Sequence, residues 1–314
     1  MVSSTALLPV LFLLGLVVGS FLNVVIARVP EGKSIVRPGS HCPRCGHVLS
    51  WYENVPLLSW AVLRGRCRSC REPISPRYPA VELLTGLLFL AAGWILGPGW
   101  PLLRALLLIG FLVPLALIDL QHWIVPVEIT VLGAGAGLLS AIPLGWEVVR
   151  DCAIGAVAGF LLFWAFERVS LFLVIGIRRT SWALGRAIAR LRGAAPPERP
   201  ADPTEALGAG DKWLLLLVGA FLGWRPLLGV LLLSAVQGSV AGVGLLLIHG
   251  RAGAAPPPEG AATEDGWTPE RTALPYGPWI ALAALELALL GPWLAETFPS
   301  PLIAVLTGQP WVPR

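Results

Sequence analysis

Residues 105–118 read ALLLIGFLVPLALI and are closed by Asp119, an apolar run with a carboxylate at its end. A helix needs about 20 predominantly apolar residues to cross the hydrocarbon of a bilayer, and the flanking residues extend this run to 101–120. An ionisable group at membrane depth is expensive, which makes it a functional candidate by default. Working outward, the same pattern recurs at about 5–27, 79–97, 127–145, 152–177, 212–224, 227–249 and 278–296, each run bounded by Pro, Gly or charge. The segment 212–224 is short for a span and runs into Trp224-Arg225-Pro226, so a tilted or half-membrane helix is its alternative.

Composition agrees with this layout. Of 314 residues 55% are hydrophobic and only 13% charged, and the mean hydropathy is +0.73. That balance leaves too little polar surface for a soluble fold and excludes one large buried core. The expected fold is all-α and polytopic, with about eight transmembrane helices in the lipid bilayer. No basic region precedes the first apolar run, whose first Lys or Arg is Arg28, so a cleaved signal peptide is not expected.

The formal charge of +4 would suggest nucleic acid or anionic lipid in a soluble protein. Here its distribution reports orientation, and no nucleic-acid partner is expected. Residues 28–78 carry Arg28, Lys33, Arg37, Arg44, Arg64, Arg66, Arg68, Arg71 and Arg77, which assigns that loop to the cytoplasm. Arg178, Arg179, Arg186, Arg190, Arg192 and Arg199 precede Asp211 and fall on the same side when four crossings separate the two loops. Both termini are then expected outside. The chain divides into a first transmembrane helix (1–27), a cytoplasmic four-cysteine loop (28–78) and a transmembrane catalytic region (79–314). Segments 193–204 and 252–269, rich in Pro, Gly and Ala, read as flexible cytoplasmic loops.

Cys42-Pro-Arg-Cys45 and Cys67-Arg-Ser-Cys70 are two C-x2-C knuckles separated by 21 residues, one more than the usual zinc-ribbon spacing. Two knuckles complete a closed four-thiolate shell, the arrangement of a structural zinc site. Two disulfides are the alternative, disfavoured in the reducing cytoplasm. A loop with few large apolar side chains also gains folding energy from a metal. Cys152, at a helix start, reads as a small buried hydrophobe.

Asp211 opens an apolar run after Gly208-Ala209-Gly210, and the topology places it with Asp119 at the cytoplasmic ends of their helices. An Asp before a helix can serve as a cap, and Asp119 can simply be exposed at the interface. Together the two suggest acid–base chemistry, one carboxylate activating water while the other, protonated, polarises a carbonyl. The helix dipoles are expected to favour Asp211, at a positive end, as the ionised base over Asp119, at a negative end. Gly208 and Gly210 would admit a substrate backbone or form a turn. Glu205 and Lys212 are auxiliary candidates, although either can simply be solvated at the interface, which is the favoured reading for Lys212, and His122 and Glu128 read as interfacial residues. A cation-coupled transporter also places carboxylates at broken helices, and a zinc-stabilised scaffold without activity is a third reading.

These residues lie in an order that resembles the type IV prepilin peptidase family, GxGD-type aspartyl proteases that are bifunctional leader peptidases and N-methyltransferases. The resemblance runs through Gly19-Ser20-Phe21-Leu22-Asn23-Val24-Val25, both knuckles, Trp51-Tyr52-Glu53-Asn54-Val55-Pro56, Pro73-Ile74-Ser75-Pro76-Arg77-Tyr78-Pro79, Glu82-Leu83 and Pro275-Tyr276-Gly277-Pro278. Asp119 matches the first catalytic aspartate, and Gly208-Ala209-Gly210-Asp211-Lys212 matches the GxGD motif with its lysine. The family commonly reads Pro-Asp after the first aspartate, whereas Pro126 is followed here by Val127 and Glu128. The resemblance implies a multi-pass protein of the bacterial inner membrane whose active site faces the cytoplasm. Its substrates would be prepilins and pseudopilins of type IV pilus assembly or type II secretion, cleaved after a short basic leader. S-adenosylmethionine would then supply a methyl group to the new amino terminus. The acidic residues Glu259, Glu264, Asp265 and Glu270 read chiefly as a solvated cluster.

Overall fold

The computed structural model describes residues 4–192, 195, 198, 208, 210–249, 274–298 and 300–308. Its helices are α1 (Ser4–Arg28), α2 (Leu58–Val62), α3 (Arg77–Leu96), α4 (Trp100–His122), α5 (Val127–Ala141), α6 (Trp146–Leu191), α7 (Asp211–Leu222), α8 (Leu227–His249), α9 (Gly277–Thr297) and α10 (Pro301–Thr307). Among the described residues there is no strand, only the isolated bridges His41–Val48 and Arg66–Pro73. Among the described residues seven helices are long and apolar enough to cross a membrane. The protein is an all-α polytopic membrane protein.

The eighth expected span is α7, and it is different in kind. It has 12 residues, about 18 Å at 1.5 Å per residue, against about 30 Å of bilayer hydrocarbon. Leu214, Leu215, Leu217 and Val218 are at most 1% exposed, because α7 is enclosed by α4, α5, α6 and α9. A helix apolar on all sides belongs in such a place. The approach of α6 is close enough that a Cβ on Gly155 or Gly219 would strike the other helix's backbone. Close contact through small residues is the usual device of membrane helices, which have no hydrophobic effect to drive them together.

A second core joins α1, α3 and α4 through Leu22, Ile26, Val81, Phe89, Ile109 and Ile118. Gly15 and Gly19 let α1 lie against α3, where an added Cβ would stand 2.7 Å from Gly86 Cα and 2.8 Å from Glu82 Cα. On the outer surface Leu132, Phe172, Val240 and Leu247 are more than half exposed. A continuous belt of such side chains requires lipid around it.

Two elements depart from the expected layout. α6 does not stop near residue 177 but continues to Leu191, 46 residues in all, about 69 Å long; its second half, SWALGRAIARL at the end, keeps good helix formers and contains no proline. α10, which no apolar run announced, is capped by Ser300 accepting from Ile303 N–H at 3.2 Å and lies against α8 and α9.

Arg104 in α4 ties α4, α5 and α7 together at the end of the bundle away from the aspartates. It is 9% exposed and donates to Gly137 O at 3.1 Å, Ser140 Oγ at 2.9 Å and Phe221 O at 2.5 Å. One guanidinium thus serves the carbonyl ends of both α5 and α7, where the helix dipoles favour a cation.

Candidate active site

Asp119 lies in the last turn of α4. That helix ends at Trp123, in the left-handed region at φ 59°, whose N–H donates to Asp119 O at 3.0 Å. The side chain is 6% exposed, and its Oδ2 accepts the N–H of Gly277, the first residue of α9, at 3.0 Å. A Cβ on Gly277 would sit 2.5 Å from Asp119 Oδ2 and 3.5 Å from Leu214 Cδ2. Gly277 therefore occupies the wedge where α4, α7 and α9 meet.

Asp211 is the first residue of α7 and is 5% exposed. Its N–H reaches Gly208 O at 3.2 Å, so the glycine loop turns directly into the helix. A Cβ on Gly208 would stand 3.2 Å from Asp211 Oδ2, and one on Gly210 would stand 2.7 Å from Val125 Cβ, in the linker between α4 and α5. Asp119 and Glu167 both act electrostatically on Asp211. The two aspartates expected from sequence are thus buried near enough to act on each other electrostatically, and two coupled carboxylates can divide acid and base roles.

The dipole asymmetry expected from sequence is not what the fold supplies. Asp119 does end its own helix at the negative pole, yet its carboxylate is aimed at the positive pole of α9. Both aspartates therefore face a helix N-terminus.

Lys212 is not solvated. Its Nζ pairs with Glu167 Oε2 at 3.0 Å, the two side chains being 16% and 7% exposed. Glu167, carried by α6, escaped the sequence reading; a lone carboxylate fifteen residues into the run that starts at 152 was the available signal. Tyr276, next to Gly277, shares a hydrogen bond with Ser234 at 2.7 Å and stacks on Phe163. Glu128 is exposed, and His122 is half-buried. Glu205 and the acidic residues between 259 and 270 lie outside the described residues.

The four cysteines form a second centre. Their sulfurs all lie within 4.8 Å of one another, with Cys42–Cys70 at 3.9 Å and Cys45–Cys67 at 4.0 Å. These separations are far beyond a disulfide bond of about 2.0 Å, and all four are free thiols. Sulfurs held tetrahedrally at about 2.3 Å from one zinc ion lie about 3.8 Å apart, so the cluster has the right size for a metal.

The knuckles fold alike. Gly46 and Arg71, each following a second cysteine, take φ 71° and 62°, and their N–H groups donate to Cys42 O and Cys67 O at 3.0 Å. The amides of Cys45 and Arg44 bring the Cys42 thiol down to about 7, and those of Cys70 and Ser69 lower Cys67. Cys70, despite the amide of Glu72, is pushed up to about 12 by desolvation and by its neighbouring thiols. Four thiols this close cannot all ionise without a cation among them.

The cysteine loop and the aspartates share one face. Arg77, where the loop enters α3, hydrogen-bonds Gln121, two residues beyond Asp119, and Glu31 lies within the electrostatic reach of His122. Within the loop Glu53 is held below the usual carboxylate range by the amide of Ser50 and then by His47.

Comparison with known proteins matches this arrangement on both parts of the chain. Residues 13–96 match the family model of the bacterial peptidase A24 N-terminal domain, and residues 106–243 that of the type IV leader peptidase family. A prepilin leader peptidase/N-methyltransferase of Myxococcus xanthus strain DK1622 is 47% identical over 346 residues, 96% of this chain and 95% of that protein. A protein of the same description from Aeromonas hydrophila is 37% identical over 304 residues, 89% of either chain. One from Klebsiella pneumoniae is 39% identical over 231 residues, 72% of this chain and 89% of the other. No solved structure matches the chain. The first model covers most of α1, the cysteine loop and α3, the second covers Asp119 and Asp211, and the relatives align along 72–96% of the chain: the chain belongs to the type IV leader peptidase family.

Proposed function

We propose that this protein is a bifunctional enzyme of the bacterial inner membrane. It removes the short basic leader of type IV prepilins or pseudopilins at the cytoplasmic face and then methylates the amine it has exposed. The observation that carries the reading is the meeting of Asp119 and Asp211, both buried, on the face that bears the cysteine loop. The arginines of residues 28–78 orient that face to the cytoplasm, where a basic leader is drawn to anionic lipid.

In cleavage, one carboxylate of the pair takes a proton from water as its oxygen bonds to the scissile carbonyl carbon. The other, protonated, donates a hydrogen bond to the carbonyl oxygen. Collapse of the tetrahedral species breaks the C–N bond and leaves a proton on the departing nitrogen. Gly208 and Gly210 keep the approach to Asp211 narrow and free of side chains, and Lys212 fixes its helix end against Glu167. Glu205 is the remaining auxiliary group.

Cys42, Cys45, Cys67 and Cys70 would hold a zinc ion of structural type, with no position open for chemistry. S-adenosylmethionine would supply the methyl group as an electrophile to the neutral amine. The division of the chain at residues 27 and 78 follows the end of α1 at Arg28 and the start of α3 at Arg77. Family membership and the cysteine centre argue against a transporter, and the buried carboxylates argue against an inactive scaffold.

The test is cleavage of a prepilin by the full chain in lipid nanodiscs. Asp119→Asn and Asp211→Asn are each expected to lose about 10²–10⁴-fold in rate, and the double variant no more than the worse single. Substantial cleavage by Asp119→Asn would overturn the two-carboxylate mechanism.

A further inference from the structure

Glu167 meets Lys212 at the start of α7, yet α6 runs on through residues 168–191, about 36 Å further at 1.5 Å per residue. The helices that pack along α6 are α5 and α7, and α7 begins at Asp211, one residue before Lys212. The far part of α6 is therefore an arm with no described helix beside it.

Its side chains are sorted by charge. At 3.6 residues per turn, Leu173, Ile177, Leu184, Ile188 and Leu191 fall within an arc of about 60° around the axis. Their exposures are 54%, 65%, 63%, 40% and 88%. Arg179, Arg186 and Arg190 lie about 130–170° from the middle of that arc. Trp182 joins the charged side, since the guanidinium of Arg186 lies over its ring at 5.2 Å. Thr180 stands at the edge of the apolar stripe but turns its hydroxyl back on its own helix, donating to Ile177 O at 2.9 Å and Gly176 O at 3.1 Å. That polar group is thus satisfied without any outside partner.

An exposed apolar row of this kind marks an interaction surface. Lipid does not reach all of it: the apolar run of α6 closes at Arg178 and Arg179, and Leu184, Ile188 and Leu191 stand about 10–20 Å beyond Ile177 along the axis. The flanking loops do not supply an apolar cover either, because residues 193–210 and 250–273 contain only Leu207 and Trp267 as large apolar side chains.

The spacing identifies what fits. Ile177, Leu184 and Leu191 recur every seven residues, and Leu173, Thr180 and Ala187 each precede one of them by four, which makes the two sets the a and d positions of a heptad. Thr180 and Ala187 are small enough to let two helices come close. Arg178 and Arg192 then fall at b, Arg179 and Arg186 at c, all turned away from the seam. Arg190 is at g, and α6 ends at Leu191 before any e position could face it. An acidic partner would be met by the arginines, whereas this row carries no charge. Two copies in one membrane are related by an axis along its normal, so their arms run parallel and offer each other the same face.

We propose that the stripe is a self-association surface, through which two copies of this chain pair their α6 arms in parallel. The pairing does not depend on the cleavage chemistry.

The test is the mass of the full chain in a mild detergent, measured by native mass spectrometry across a dilution series. The wild type is expected at twice the chain mass of 33.4 kDa. Burying one leucine side chain is worth roughly tenfold in an equilibrium, and each dimer buries two copies of it. Leu184→Glu is therefore expected to raise the dimer dissociation constant about 10²-fold or more, and Arg186→Gln to leave it unchanged. A monomeric wild type, or a Leu184→Glu dimer as tight as the wild type, would overturn the assignment. Oxidative crosslinking in native membranes covers the case of a variant that does not fold. Leu184→Cys is expected to join two chains and Arg186→Cys, on the far side, is not. Equal crosslinking at both positions, no product at either, or a product with a different protein would each overturn the pairing.

Discussion

The carboxylate of Asp119 accepts the backbone N–H of Gly277, 158 residues later in the chain, at 3.0 Å. A residue that ends one helix is thus held by the residue that begins another, and the carboxylate of α4 is held by α9 as well as by its neighbours in sequence. A methyl at position 277 would overlap the very oxygen that accepts this bond. Gly277→Ala is therefore expected to slow leader cleavage by about 10²-fold, the usual cost of an error near 1 Å in a reacting group. Steady-state kinetics check this, and a rate within twofold of wild type would show that Asp119 does not depend on α9.

Lys212 and Glu167 form a pair largely withdrawn from solvent. Removing one partner leaves an uncompensated buried charge, which costs about 3 kcal/mol or more, whereas removing both costs less than the sum. Lys212→Met and Glu167→Gln should each show that loss in detergent unfolding titrations, and the double variant should recover part of it. Additive losses would mean that the two side chains do not act as a pair.

Arg104 serves three acceptors from α5 and α7. In Arg104→Met these lose their partner inside the bundle, for a total of about 3 kcal/mol. Arg104→Lys is expected to restore little, because an ammonium cannot reproduce the planar fork. Because Arg104 and Asp119 share α4 while Phe221 and Asp211 share α7, cleavage should fall along with stability. Retained thermal stability in Arg104→Met would count against this lock.

The cysteine centre predicts one metal ion per chain. Cys42→Ser should lower the bound metal to near zero by elemental analysis and open residues 28–76 to limited proteolysis, since the loop has little apolar core of its own. Unchanged stoichiometry would rule out a four-thiolate site.

Much of this was legible in the chain itself, for reasons that can be named. Apolar runs mark spans because lipid leaves the backbone no other choice, and α1, α3, α4, α8 and α9 begin and end within two residues of their expected limits. The knuckles were legible because metal geometry constrains spacing within each pair. Asp119 and Asp211 stood out because a carboxylate beside an apolar run needs a reason. What stayed hidden depends on partners distant in sequence. Arg104 binds backbone carbonyls, which carry no signature; Glu167 sits beside Arg168, which gave it an innocuous neighbour, while its true partner is 45 residues away. The donation from Gly277 to Asp119 is likewise a backbone event, and it cancels the helix-pole argument that local sequence supports.

Hydrolysis consumes a molecule that the bilayer interior does not hold. Because α7 is some 12 Å shorter than the hydrocarbon is thick, its ends cannot both sit at an ordinary lipid surface. A water-filled dip toward one of them is one way to reach an end that the surrounding bundle encloses. At the Asp211 end such a dimple would bring the reactant to the carboxylates without unfolding a helix, making the brevity of α7 a form of plumbing.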